Sequence, residues 1–175
     1  LKDVASILVL IFFASQFCAI FKQTNIGVFI VSSLTELLNS IEVSGILLII
    51  LFFVITMIST MFIPASSTKW AILSPVVVPM FMQSSLTPEF AQAVFRAADS
   101  AVKGISPLFT YFVIFLGFLQ IYNKKKDNAV TLTDAVSLMI PYAISYSILW
   151  FVIILAFYII GIPIGIGTGV MLPTA

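Results

Sequence analysis

The chain has 175 residues, 61% of them hydrophobic and only 9% charged, where ordinary soluble domains carry roughly a quarter; the composition is that of an integral membrane protein. Eight basic and seven acidic residues give a formal net charge of +1, so no broad field attracts nucleic acid or an acidic partner. One cysteine, Cys18, and no histidine exclude disulfide frameworks, thiolate metal centres and histidine-based catalysis, and with them the usual hydrolytic enzymes.

The chain starts at Leu1 with no initiator methionine and no basic stretch before its first apolar run, so no cleavable signal peptide is expected and the sequence reads as part of a longer polypeptide. Charges then divide it, because a spanning helix needs ~20 mostly apolar residues. Val4–Phe21 is uncharged, Lys22–Gly27 interrupts, and the apolar run resumes to Leu34; residues 1–42 are expected to form an interrupted membrane helix and a connection. Val43–Ile63 is uncharged and long enough to span, whereas Ala71–Met82, with Pro75 and Pro79, is too short to cross alone. Residues 43–83 therefore suggest a helical hairpin. Residues 84–122 hold Arg96, Asp99 and Lys103, then Gly104 and Pro107, and are expected to be a broken transmembrane helix with Ser100–Pro107 unwound. Lys124-Lys-Lys126 assigns the loop 123–134 to the cytoplasm by the positive-inside rule. Residues 135–175 hold the last span, from Ala135 to Ile160, and a glycine-rich tail.

Between the arms of the hairpin lies Pro64-Ala-Ser-Ser-Thr-Lys-Trp70. Two readings stand side by side. In one, the segment is a hairpin tip inside the membrane, where Pro64 stops the first arm and Ser66, Ser67 or Thr68 caps the second; half-helix ends of this kind receive anionic groups in transporters. In the other it is an ordinary loop with Trp70 anchored at the membrane interface. The next segment bears on the choice. Arg96, Asp99 and Lys103 would together cost about 9 kcal/mol at mid-helix, against roughly 0.3–0.6 kcal/mol returned by each Leu, Ile, Phe or Val. That face belongs against protein or a water-filled cavity, unless Phe90–Ala101 lies in the interface and Arg96 and Asp99, three apart, form a surface pair.

The run Ser66-Ser-Thr-Lys-Trp-Ala-Ile-Leu-Ser-Pro-Val-Val-Val-Pro-Met80, followed by Phe95-Arg-Ala-Ala-Asp-Ser100 and Phe115-Leu-Gly-Phe-Leu-Gln120, resembles the C-terminal part of the AbgT family, the p-aminobenzoyl-glutamate transporters. Phe12–Phe17, Asn25–Gly27, Pro141-Tyr142 and Gly161–Gly165 extend the likeness over nearly the whole chain. The resemblance implies an all-α membrane protein of the ion-transporter type: a helical bundle with a re-entrant hairpin and broken transmembrane helices. It implies a secondary active transporter rather than an enzyme, a homodimer in the bacterial inner membrane. The substrate would be p-aminobenzoyl-glutamate, a related aromatic carboxylate or a sulfonamide-like drug. No cofactor or bound metal is implied beyond a coupling ion, proton or sodium. Carried over by position, Ser67, Trp70, Arg96 and Asp99 would serve substrate binding or coupling, with Pro88 in the connection and Pro107 at the break; Ser66 and Thr68 join them at the tip as the capping candidates named above. The family also uses an aspartate in its N-terminal half, a further partner of this chain. Lys103 departs from the family pattern at the break. A pore or scaffold subunit without coupled transport is the alternative; an intramembrane aspartyl protease would need two facing aspartates, and Asp99 alone lies deep in an apolar segment.

Overall fold

The computed structural model describes residues 45–123 and 130–172, with isolated positions between 12 and 36. The interrupted helix expected in residues 1–42 and the Lys124–Lys126 cluster lie outside the described residues. Within them the fold is helical, without strands, and two isolated antiparallel bridges, Leu86 with Met171 and Gly165 with Thr168, tie loops together.

Helix α1 is Ile46–Phe62. Leu48, Phe52, Ile55, Thr56, Ser59 and Thr60 are buried at three- and four-residue spacing, while Leu47, Val54 and Ile58 on its other side are exposed. Gly45 precedes it at φ 64°, a left-handed conformation that glycine adopts without steric cost. Ile63 closes the helix and Pro64 prevents its continuation.

Helix α2 is Ser66–Gln83, so it begins within the polar stretch, ahead of the apolar run from Ala71. Its buried residues, Lys69, Leu73, Val77 and Phe81, form one line at four-residue spacing. Pro75 and Pro79 are exposed on another side, where their missing N–H groups do not disrupt the packed stripe. None of the three hydroxyls caps this helix: Ala65 is the N-cap and makes no side-chain hydrogen bond to it.

Helix α3, Pro88–Val102, is the hub, packed chiefly on α1 on one side and on the last helix on the other. Thr87 caps it, accepting from the Phe90 N–H at 3.4 Å, and Pro88 takes the first helical position, where a missing N–H costs nothing. Ala91, Ala97, Ala98 and Ala101 are buried and let neighbouring backbones come close. The helix persists through Ser100–Val102, so the first three residues of the segment expected to unwind are helical, with Ala101 and Val102 in buried sites; the break is a 3₁₀ turn, Lys103–Ile105, followed by extended Ser106 and by Pro107.

Helix α4, Thr110–Tyr122, resumes the path, and Gln120 bridges to Val130 through both ends of its amide, at 2.7 and 3.2 Å. Helix α5, Leu132–Ile160, starts ahead of Ala135 because Thr131 and Asp134 form a capping box, the Asp134 carboxylate accepting the Thr131 N–H at 2.9 Å. It ends at Gly161, φ 72°. At 29 residues, with a mean hydropathy of 2.4 over its most apolar window, α5 is the one helix among the described residues long and apolar enough to cross a membrane. Its span of about 43 Å follows from 1.5 Å per residue.

The core joins α1, α2, α3 and α5. Phe52 meets Phe81 edge-on at 5.5 Å, Phe81 meets Phe90, and Phe90 stacks on Tyr158 at 6.3 Å. Phe81 is fully buried at the junction of three elements, so Phe81→Ala is expected to cost about 3–5 kcal/mol. The check is the thermal midpoint in detergent, which should fall by several degrees, whereas Phe118→Ala on the exposed side of α4 should leave it in place.

Candidate functional site

Three elements meet where α1 ends, α2 begins and α3 gives way to its 3₁₀ turn. Each contributes polar groups to a region otherwise built of apolar side chains. Thr60 comes from the last turn of α1, Ser66 and Lys69 from the first turn of α2, and Asp99 and Lys103 from the end of α3 and the turn beyond. Lys69 and Asp99 are 0% and 2% exposed and form a direct ion pair through Nζ and Oδ1. The Lys69 ammonium also donates to the Thr60 hydroxyl. That hydroxyl has one proton, shared between the Thr56 carbonyl at 2.7 Å and Asp99 Oδ1 at 3.1 Å. Ser66 Oγ donates to the other carboxylate oxygen, Oδ2, and accepts from Lys103 Nζ at 2.6 Å. Lys103 itself stands 3.5 Å from Oδ2. Asp99 thus receives two hydroxyl donors and an ammonium with a second ammonium behind them, the dense satisfaction that a buried carboxylate requires.

Lys69 reaches this position because it continues the buried line of Leu73, Val77 and Phe81, with Phe95 of α3 beneath its ammonium at 5.7 Å. One turn along α1 from Thr60, Thr56 is buried with its hydroxyl unpartnered.

Of the residues singled out from sequence, the structure brings Ser66 and Asp99 into this cluster. Ser67 and Thr68 are exposed at the start of α2. Trp70 is half-buried, its ring 5.0 Å from that of Phe95, and so packs beside the cluster. Pro88 opens α3, and Pro107 is exposed in the break. Arg96 does not pair with Asp99: three residues turn the helix by about 300°, about 60° short of a full circle, which sets Arg96 toward α5 while Lys69 holds the carboxylate. There Arg96 lines a cavity of about 320 Å³ with Ser100, Phe90, Trp150, Phe157 and Ile164. Lys69, Thr60 and Lys103 were not among the expected site residues. The signal for Lys69 was its four-residue spacing from Leu73, Val77 and Phe81; Thr60 carried a similar one in the Thr56, Ser59, Thr60 stripe.

The AbgT putative transporter family model matches residues 1–172. The chain belongs to this family. It is 40% identical over 167 residues to the p-aminobenzoyl-glutamate transport protein of Escherichia coli K12, covering 95% of this chain and 32% of that protein. Two solved structures are similar in fold. The YdaH transporter of Alcanivorax borkumensis, described as having an unusual topology, gives a TM-score of 0.65 at 34% identity over 94% of this chain and 34% of its own. MtrF of Neisseria gonorrhoeae, described among a class of antimetabolite efflux pumps, gives 0.62 at 31% identity over 95% and 31%. This member of the AbgT family is an integral membrane protein whose relatives are transporters, not enzymes. It spans about a third of the length of those relatives.

Because the pair is fully desolvated, removing one partner strands the other. Asp99→Asn and Lys69→Met are each expected to cost about 3–5 kcal/mol, and the double variant to recover most of that loss. Thermal midpoints of the four proteins in one detergent close the cycle; additive losses would show that the pair is not coupled.

Proposed function

We propose that the chain is the C-terminal part of a secondary active transporter that moves p-aminobenzoyl-glutamate, or a related aromatic carboxylate or sulfonamide-like drug, coupled to an ion gradient. The observation that carries this reading is the buried Lys69–Asp99 pair, which ties the start of α2 to the end of α3 in the middle of apolar helices. An intramembrane charge of this kind is retained at a cost that structure alone does not require, and it marks ion and substrate paths. In this reading α1 and α2 are the arms of a re-entrant hairpin with residues 63–65 as its tip, and α3 and α4 are the halves of a broken transmembrane helix.

The residues divide the work by the sides of α3 they occupy. Asp99 faces the hairpin and is the coupling group: it exchanges a proton or admits sodium when Lys69 and Ser66 part from it. Arg96 faces α5, where its guanidinium takes a substrate carboxylate and Trp150 and Phe157 supply apolar aromatic walls; the cavity of about 320 Å³ is at the lower end of the size of small-molecule sites. Trp70, packed on Phe95, links the tip to the same helix and offers its remaining face to the substrate ring. Ser67 and Thr68 lie exposed at the tip, where they can donate to a passing anion. Sequence equivalent to the remaining two-thirds of the relatives, including an N-terminal aspartate, completes the path, and the transporter works as a homodimer in the bacterial inner membrane with the Lys124–Lys126 loop in the cytoplasm.

The test is flux of labelled p-aminobenzoyl-glutamate into proteoliposomes holding the intact transporter, under imposed pH or sodium gradients. Wild type is expected to accumulate substrate when one gradient is applied, Asp99→Asn to lose the gradient-driven component by at least about tenfold, and Trp70→Ala to raise KM. Equal accumulation by wild type and both variants would overturn the assignment of these residues, and absence of gradient-driven flux in wild type would overturn the transporter reading for this substrate.

A further inference from the structure

We propose that Lys103 is a carboxylate-binding residue of the transport path: its ammonium, surplus to the charge Asp99 neutralises, takes an anionic group of the substrate beside the Phe109 ring. The inference rests on the transporter reading above and adds a residue outside its substrate cavity.

The argument begins with charge. Lys69 and Asp99 cancel as a direct, fully buried pair, and Lys103, 3.5 Å from the far carboxylate oxygen, leaves the cluster with a net charge of +1. No second carboxylate approaches among the described residues. An excess positive charge within apolar helices is costly, and an anion arriving there is favoured by the full cost it relieves. Arg96 is the other cation on α3, and it is committed to the α5 side.

Access comes next. The Lys103 side chain is 25% exposed, the one member of the ion cluster that a ligand can reach. Next to it, a Cβ added at Gly104 would meet nothing within 4 Å, so the turn leaves open space where a side chain would otherwise stand. The Phe109 ring lies 5.2 Å from the ammonium and forms an apolar wall beside it. Ser66, which accepts from Lys103 at 2.6 Å, fixes the ammonium at the junction of the hairpin tip and the break.

Placement supplies the last step. Arg96, Ser100 and Lys103 follow one another at spacings of four and three residues along α3 and its turn, and from the last of these positions the Lys103 side chain reaches across to Ser66 and Asp99. Arg96 and Ser100 line the cavity, and Lys103 lies about 10 Å along the axis from Arg96 and about 5 Å from Ser100. The substrate class that uses both cations carries an aromatic ring and more than one anionic group, and Lys103 separates such substrates from neutral ring compounds of similar size.

The experiment measures affinity in the purified intact transporter by calorimetry for two probes, p-aminobenzoyl-glutamate, with two carboxylates, and sulfanilamide, uncharged at neutral pH. The quantity read is the ratio of their dissociation constants. Lys103→Gln is expected to shift that ratio against the dicarboxylate by about tenfold or more, and Lys103→Arg to hold it within about threefold. If the Gln variant fails to assemble, Lys103→Met, which keeps the apolar stem, is read the same way. A ratio unchanged in the folded Gln or Met variant overturns the proposal, as does an equal loss for both probes, which would mean that Lys103 acts only through the ion cluster. Wild type that binds neither probe overturns the transporter reading beneath it, an outcome distinct from an unchanged ratio.

Discussion

The position of a single carboxylate governs this structure. Asp99 lies in a helix whose neighbours are alanines, valines and phenylalanines, and a bare charge there would be untenable. Lys69, Ser66 and Thr60 all turn inward to meet it. That demand explains why α2 begins where it does. Ala65 stands at the N-cap, so the helix starts without a side-chain cap worth roughly 1 kcal/mol, while the Ser66 hydroxyl goes to a buried carboxylate that would be costly to leave unsatisfied. The tip between the arms is therefore held by electrostatics across elements more than by its own turn chemistry.

The same helix presents two environments within one turn. Asp99 faces hydroxyls of α1 and α2 and the Lys69 ammonium of α2; Arg96 faces aromatic and aliphatic side chains of α5. A rigid rotation or slide of α3 would alter both at once, because residues three apart on a helix cannot move independently. Buried alanines make such a slide sterically inexpensive, while the Phe52, Phe81, Phe90 and Tyr158 chain of ring contacts resists it at the far end of the helix. The helix is thus packed by rings near Pro88 and charged near the break.

The sequence announced its helices and its breaks through where charge and proline fell. Uncharged runs too long for a soluble domain set α1 and α5, and Pro64, Gly104 and Pro107 punctuated the path. Boundaries were harder, since Ser66–Lys69 reads as loop on propensity yet is helical, its first and last residues being satisfied by Asp99 some thirty positions later. The insertion cost of Arg96, Asp99 and Lys103 pointed to a protected face, but their spacing left the partners undetermined. The pairing of Arg96 with Asp99 was the local choice; the fold supplies Lys69 from another helix, a nonlocal contact that spacing within one helix does not encode. Lys69 was hidden in plain sight, one polar letter at the head of an apolar four-residue ladder.

The connection between α2 and α3 draws its backbone partners from the far side of α5. The Thr87 N–H donates to the Val170 carbonyl at 3.0 Å, its hydroxyl to the Gly169 carbonyl at 2.8 Å, and the Leu172 N–H donates to the Ser85 carbonyl at 2.9 Å. These partners are synthesised only after α5. The joint between α2 and α3 is therefore unclasped when first made, and Ser85, in a left-handed conformation at φ 59°, acquires its clasp only once the residues beyond Gly161 follow. Assembly order is written into the fold: residues 169–172 fasten elements that precede them by some eighty positions.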